Sequence, residues 1–337
     1  MNSEKLPAIK TIETLVEGIK EILENAREKT VSMVNREMLL TYWQIGQLVV
    51  TKGSKYHSDR AFILQLSKRL TAELGKGFSR SNLFNMRNFY LEYPHVQTAS
   101  GQLSWSHYCE LMQVSDKQAR MFYEKETRNA NWSVRELNRQ IESSLFERLL
   151  LSKGKGNKAK VVELSEKGIV LKHPSDMLKE PYVFEFLGLP EKKPFLERDL
   201  ERKLIRNIED FLLELGRGFM FVGSQQRVTL GNRHHYVDMV FYNKILKAYV
   251  LIDLKIRKLK LSDAGNMNGY LNYYKTEIND AGDNAPIGII LCADKEEITA
   301  EYALGGLSNQ VFASKYVYHL PKKELLIKQV EKVIEGK

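Results

Sequence analysis

Cysteine is almost missing from this 337-residue chain: Cys109 and Cys292 are its two thiols, far apart in sequence. A structural disulfide between them is not expected, and so sparse a pair does not make a zinc site. No stretch approaches the ~18 to 20 consecutive apolar residues that a membrane-spanning helix needs. The N-terminal stretch is mixed in charge and helical in pattern, not a charged tip with an apolar run and a small-residue cleavage site. No secretory leader is expected from it, and the cytoplasm is the expected compartment. No G-x4-G-K-S/T sequence occurs, which disfavours a nucleotide-driven motor.

What is present is an ordinary globular composition, 43% hydrophobic and 28% charged, at a length for which two domains are the default expectation. The formal charge of +9 and a pI near 9.2 suit an anionic polymer as partner. Nucleic acid is the polymer to test for first.

The most informative stretch is residues 235 to 256, HYVDMVFYNKILKAYVLIDLKI. Two runs rich in Val, Ile, Tyr and Phe flank Asn243, Lys244 and the residues up to Ala248, which predicts a β-hairpin. With the turn centred between Ile245 and Leu246, Asp238 of the first strand lies opposite Asp253 of the second. Alternation puts Tyr236, Asp238, Val240 and Tyr242 on one face and Val237, Met239 and Phe241 on the other. Asp253 and Lys255 share a face, while Ile252, Leu254 and Ile256 point the opposite way, into a core.

Opposed like charges destabilise a sheet, and buried carboxylates stay ionised only beside a compensating cation. Lys255 supplies one charge, too little for two carboxylates with about four lone-pair sites each. A hard divalent cation, Mg²⁺ or Mn²⁺, bound by the two carboxylates and otherwise by water and phosphate oxygen, fits the remaining need. That is the pattern of a metal-assisted phosphodiester hydrolase. The alternative is a salt-bridged hairpin in which Lys255 only neutralises the acids.

Asp238, fourteen intervening residues and Asp253-Leu254-Lys255 resemble the D…(D/E)-x-K signature of the PD-(D/E)XK nuclease superfamily. The stretches FLERDLERKLIRNIEDFLLELG, FMFVGSQ, YVDMVFY, VLIDLK and AGNMNGYLNYY resemble one bacterial branch of it, the YhcG-like proteins. In that branch a helical N-terminal domain precedes the nuclease domain. The resemblance implies a restriction-endonuclease-like mixed α/β domain over residues 195–337 behind a helical domain over 1–150. Between them, residues 151–194 form a basic linker, SKGKGNKAK, and a connecting arm.

The resemblance further implies Asp238, Asp253 and the carbonyl of Leu254 as metal ligands, with Lys255 orienting or deprotonating water or pairing with phosphate. Glu201 matches the acidic residue of the first core helix, with Glu197 and Glu209 as weaker candidates. The alternative for Glu201 is a surface ion pair with Arg198 or Arg202. Gln225 of the GSQ stretch is implied to approach the scissile phosphate. Two positions depart from the related pattern: Asp253 stands where Glu is commoner, and Asn266 stands where the related helix has Gln. Asn266 and Tyr270, spaced i and i+4, are expected on one face of a helix over residues 261–278. Tyr270 either holds phosphate or orients Lys255 if that face meets the carboxylates, or else packs with Tyr273 and Tyr274.

In the N-terminal half, apolar periodicity predicts a helix over residues 9–29 and another from Thr30 to Thr51, with Trp43 in the core rather than stacking on bases. A helix from Asp59 to Leu74, the turn Gly75-Lys76-Gly77 and a helix from Arg80 to Glu92 capped by Ser79 form a helix-turn-helix pattern. Arg80, Ser81, Asn82, Asn85 and Arg87 would then face phosphates and base edges. A plain helical hairpin is the competing reading.

The functional expectation is a metal-dependent nuclease acting on DNA, with the N-terminal domain binding nucleic acid or a partner. The alternatives are a silent nuclease-fold DNA-binding adaptor and an RNA nuclease. A homodimer is plausible, since cutting both strands of a duplex often takes two active sites.

Overall fold

The computed structural model describes residues 5–53, 55, 60–94, 102–152, 158–189, 196–307 and 310–335. The chain divides into two compact units, residues 1–120 with 131–137, and residues 121–130 with 138–337. Neither edge coincides with the expected boundary at residue 150. The expected start of the nuclease domain at Phe195 lies outside the described residues.

The first unit is helical. Its long helix α1 (Lys5–Lys52) replaces the two helices expected to meet at Thr30. No Gly or Pro interrupts residues 21 to 41, and the Thr30 hydroxyl donates back to the Ala26 carbonyl at 2.9 Å without opening the ladder. Helix α2 (Arg60–Leu74) and helix α3 (Arg80–Glu92) follow, and the Asp59 expected to open α2 lies outside the described residues. Between them Gly75 (φ 85°) and Gly77 (φ 115°) take left-handed backbone that a side chain would strain. The Ser79 hydroxyl then accepts the Asn82 N–H at 3.2 Å as N-cap. Val49, Ile63, Leu83 and Met86 form the core, joined by Trp105 at the start of α4 (Trp105–Leu111).

The second unit is built on a six-stranded mixed sheet. Helices α5 (Lys117–Ala130) and α6 (Val134–Glu142) cross the dividing line between units in sequence. They are followed by α7 (Leu145–Ser152), α8 (Lys158–Lys167) and a two-residue strand β1 (Tyr182–Val183). The remaining order is α9 (Glu197–Arg206), α10 (Ile208–Leu215), β2 (Phe219–Leu230), β3 (Arg233–Asn243) and β4 (Ala248–Lys258). Then come α11 (Leu261–Tyr273), β5 (Ile287–Asp294), α12 (Glu297–Leu304), β6 (Gln310–Val317) and α13 (Lys323–Glu335). The spatial order is β1-β6-β5-β4-β3-β2, antiparallel among β2, β3 and β4 and parallel from β4 to β1.

Helices α9 and α10 were expected as one. They part at Asn207 (φ −113°, ψ 42°), whose side-chain amide donates to the Lys203 carbonyl at 2.8 Å and competes with the helical ladder. One face of the sheet, with Met239, Phe241, Ile252, Leu254 and Ile289, packs on Leu200, Leu204 and Phe211 of these helices. The other face, with Val240, Leu251, Ile290 and Cys292, packs on Met267 and Leu271 of α11. At Gly288 a Cβ would lie 2.5 Å from Met267 Cγ, so the glycine lets α11 lie close on β5.

The hairpin register is the expected one, Met239 with Ile252 through Asn243 with Ala248. One more step sets Asp238 against Asp253. The alternation, however, breaks there. Val237 was expected beside Met239 and Phe241, but it packs with Val240 on the opposite face. The neighbouring strand explains the break: β2 carries a bulge between Phe221 and Gly223, and Gln225 takes a left-handed conformation (φ 48°) where Asp238 would pair. The stretch expected as one bent or two short strands is a single bulged strand.

Residues 161–189, expected as a connecting arm, pack into this unit and add a short strand to its sheet. Tyr182, Val183 and Phe184 are fully buried, and β1 extends the sheet beside β6. A buried ion network fixes α6 and α7 to the same unit. Arg148, with no exposed surface, donates to Glu214 at 2.5 Å, and Arg139 reaches the same carboxylate at 3.3 Å. The Val183 N–H also donates to Glu214 at 3.0 Å, and Lys179 Nζ to its backbone carbonyl. A charge network this dry holds only if its members stay together, which places residues 138–150 with the sheet.

Candidate active site

The hairpin brings the predicted acids together. Asp238 Oδ2 accepts the Leu254 N–H at 2.7 Å, a bond that anchors the acid across from the D-x-K segment. Lys255 Nζ lies 2.7 Å from Asp253 Oδ2 and donates to the Leu254 carbonyl at 3.1 Å. Gln225 donates one amide nitrogen to two carboxylates, to Glu201 at 2.8 Å and to Asp238 at 3.2 Å. Its left-handed backbone aims it there, and strain of this kind collects at functional sites. Glu201 is 6% exposed, buried on the inner side of α9 rather than paired at the surface.

Glu197, the weaker candidate, also comes close. Its Oε2 is 3.9 Å from Lys255 Nζ, and its Oε1 accepts the Ile256 N–H at 3.4 Å. Glu209 is exposed. On α11, Tyr270 is 8% exposed, its ring lies 6.1 Å from that of His235 between centroids, and it belongs to the same hydrophobic cluster as Tyr274, with Tyr273 packed against that cluster. Asn266, one turn earlier, is exposed.

Two anchors were not foreseen. Arg257 grips Asp263 with two hydrogen bonds of 2.8 Å, and the Asp263 carboxylate also accepts the Lys260 N–H at 2.9 Å. This clamp fixes the start of α11 to the end of the catalytic-type strand. Its signal was local: an acid at the third helical position is a capping residue. His235 carried no such signal, because its partner Tyr270 is distant in sequence.

The electrostatics follow from one ammonium among several acids. Burial pushes the Asp253 carboxyl up to about 7, with Lys255 opposing the rise and Asp238 adding to it. Burial and then Asp238 raise Glu201 as well. Burial disfavours the charged form of Lys255, but Asp253 outweighs it and holds that pKa above its ordinary value. Burial also raises the Tyr270 hydroxyl, with Asp253 adding to it. The cluster has more negative charge than it can neutralise.

A divalent cation fits this donor set in a specific way. Among the described residues no group of three or more His, Cys, Asp and Glu side chains forms a ready cage. A hard ion held by one or two carboxylates completes its coordination with water. Asp238, Asp253 and the Leu254 carbonyl are all oxygen donors, the kind a hard ion prefers.

The N-terminal candidates are used differently. Asn82 is committed inside its own unit, donating to the Gly77 carbonyl at 2.6 Å and accepting from Trp105 Nε1 at 2.8 Å. Its expected role at a base edge is therefore replaced by locking the turn to α4. Arg87 is half-buried and donates to Asn88 at 2.7 Å, while Asn85 donates to Cys109 at 3.3 Å. Arg80 and Ser81 are exposed at the start of α3. Trp43 is half-buried with its indole N–H on the Tyr93 carbonyl at 2.8 Å, as a packed residue.

A helix-flanked mixed sheet with an acidic hairpin and a D-x-K segment defines a protein of the PD-(D/E)XK nuclease fold. The YhcG PDDEXK nuclease domain family matches residues 175–331, and the DUF1016 N-terminal domain matches residues 18–148. "Putative nuclease YhcG" of Escherichia coli (strain K12) is 38% identical, over 92% of this chain and 91% of that protein. The chain belongs to the YhcG family. Two solved structures are more distantly similar. A repair endonuclease from Pyrococcus abyssi is 21% identical, over 37% of this chain and 49% of its own, with a TM-score of 0.28. EndoMS in apo form is 14% identical, over 39% and 49%, with a TM-score of 0.26.

Proposed function

We propose that this protein is a divalent-cation-dependent nuclease that hydrolyses phosphodiester bonds in DNA. The observation that carries the proposal is the excess of buried carboxylate around one lysine, with Asp253 pushed up to about 7. Asp238, Asp253 and the Leu254 carbonyl would hold Mg²⁺ or Mn²⁺. The bound ion supplies Lewis-acid stabilisation of charge developing on the phosphate.

The chain's own groups divide the remaining work. Lys255, kept protonated by Asp253, acts as a donor and positive charge toward a phosphate oxygen rather than as a base. Gln225 and Glu201 hold Asp238 in place. Tyr270, seated against His235, lines the α11 side. Arg80 and Ser81 at the start of α3 offer phosphate contacts in the N-terminal unit.

Supercoiled plasmid incubated with Mg²⁺ or Mn²⁺, beside EDTA and Asp253→Ala controls, tests this directly. Nicking or linearisation that requires both the ion and Asp253 is the expected result. Matched single-stranded DNA, duplex DNA and RNA oligonucleotides then fix the substrate; cleavage of RNA alone would replace DNA in the proposal. Intact plasmid with metal-independent binding would contradict the nuclease reading in favour of an adaptor.

A further inference from the structure

A second charged feature of the sheet unit, a basic one, lies beyond the acid cluster. At the carboxyl ends of β5 and β6, walled by α13 and the end of α7, there is a groove of about 1020 Å³. Small-molecule sites occupy roughly 300 to 1,000 Å³, so this one is at the upper limit and suits a segment of a polymer. Its lining carries four lysines, Lys295, Lys315, Lys322 and Lys332, against two carboxylates, Glu180 and Asp294. The polymer it fits is polyanionic.

The four lysines are not equivalent. Lys295 is structural: it binds Glu180 at 2.6 Å and the Ala313 carbonyl at 3.0 Å. Lys315 pairs with Asp294 at 2.6 Å in an arrangement with both side chains about two-fifths exposed. Such pairs are worth little in water, so a phosphate can take over Lys315 at small cost. Lys322 and Lys332 are exposed on the α13 side of the groove.

The groove and the acid cluster are linked across the sheet by ion pairs and a hydrogen bond. Lys258, three residues after Lys255 on β4, lies 3.7 Å from Asp294, which in turn binds Lys315 on β6. The Tyr316 hydroxyl, in the groove lining, donates to the Lys255 backbone carbonyl at 3.2 Å. In open α/β sheets, ligands collect outside the carboxyl ends of the strands. Pro321 and Leu325 add an apolar wall suited to unpaired bases.

We propose that this groove is a nucleic-acid subsite, binding the phosphate backbone of a single-stranded flank that leads away from the cleavage centre. The assignment rests on the nuclease reading for the direction of the strand. Lys322 and Lys332 are its phosphate contacts, and Lys315 joins them when its pair with Asp294 opens.

The test uses the full chain with Lys322→Glu and Lys332→Glu combined, neither residue belonging to the acid cluster. Fluorescence anisotropy in EDTA compares a short single-stranded DNA with one extended by ~10 nucleotides, over a range of salt. Cleavage of the short strand is measured in parallel. The expected result is at least a ~10-fold loss of the affinity gained by extension and a salt slope shallower by ~1.4 for two lost phosphate contacts. Cleavage of the short strand should stay unchanged. Equal affinity and slope for the two proteins would overturn the subsite, as would an equal loss on both lengths. Lys322→Gln with Lys332→Gln repeats the comparison with a gentler change if the charge reversal lowers the melting temperature. Absence of cleavage by the unaltered protein, with the length-dependent loss intact, would strike the hydrolysis reading and leave the strand-binding groove standing.

Discussion

The sheet unit holds two buried clusters of charge that resolve the same problem in opposite ways. Around Glu214, three cations (Arg148, Arg139 and Lys179) converge on one carboxylate and its backbone. Burial works against that carboxylate, but Arg148, Lys179 and Arg139 outweigh it and hold it at about 2. Around Asp253 the balance is reversed. Asp253, Asp238 and Glu197 crowd one ammonium, Glu201 joins them through Gln225, and burial pushes Asp253 up to about 7. A closed network that only supports the fold lowers its carboxylate, whereas a cluster short of positive charge raises its acids, and the proposed divalent cation would supply the missing charge.

The largest expected effect breaks the first cluster. Glu214→Ala leaves Arg148 buried without its partner, and a loss of 3–5 kcal/mol is typical of such cuts. Urea denaturation of the two proteins measures it; a loss below ~1 kcal/mol would mean that the network is not closed. Next in size is the chemistry of the second cluster. Asp253→Asn should lower plasmid cleavage by at least ~100-fold, on the scale of losing one transition-state contact. The same change should keep or raise the melting temperature of the metal-free protein, because it removes one of several like charges. Parallel loss of stability and cleavage would show the acids to be structural.

A pH profile sharpens the contrast. The Glu214 carboxyl ionises near 4.5 in the unfolded chain and near 2 in the folded one. Its contribution is therefore complete above about 4.5 and disappears as pH falls toward 2. Glu214→Gln should flatten that acid limb of the stability curve, as read by thermal unfolding between pH 5 and pH 2. The smallest effect is a control on a third kind of pair. Asp199 and Arg202, 3.7 Å apart and about half exposed on α9, should contribute under ~0.5 kcal/mol when either is replaced by alanine.

The site was more legible in the sequence than the frame around it. Register in the hairpin followed from the turn position, since a shift of one residue would bury the wrong face. Asp238, Asp253 and Lys255 could therefore be brought together from the alternation of a few residues. Gln225 could be named only through its family resemblance; no periodicity foretells a left-handed residue inside a strand. The Arg148–Glu214 contact joins residues 66 apart, and nothing near either one announces the other. For the same reason the packing of residues 138–150 with the sheet unit could not be read from the sequence. Strand β1 is two residues long, too short to leave a periodic trace. The break at Asn207 and the continuity of α1 were decided by single hydrogen bonds and by the absence of helix breakers, which weak propensities describe poorly.

The most direct test of the contrast is calorimetric titration of Mn²⁺ into the unaltered protein, Asp253→Asn and Glu214→Gln, each first freed of metal with EDTA and then dialysed. The account predicts saturable binding to the unaltered protein and to folded Glu214→Gln, and its loss in Asp253→Asn. Equal binding by Asp253→Asn, or none by the unaltered protein, would contradict the reading of the acid-rich cluster as a cation site.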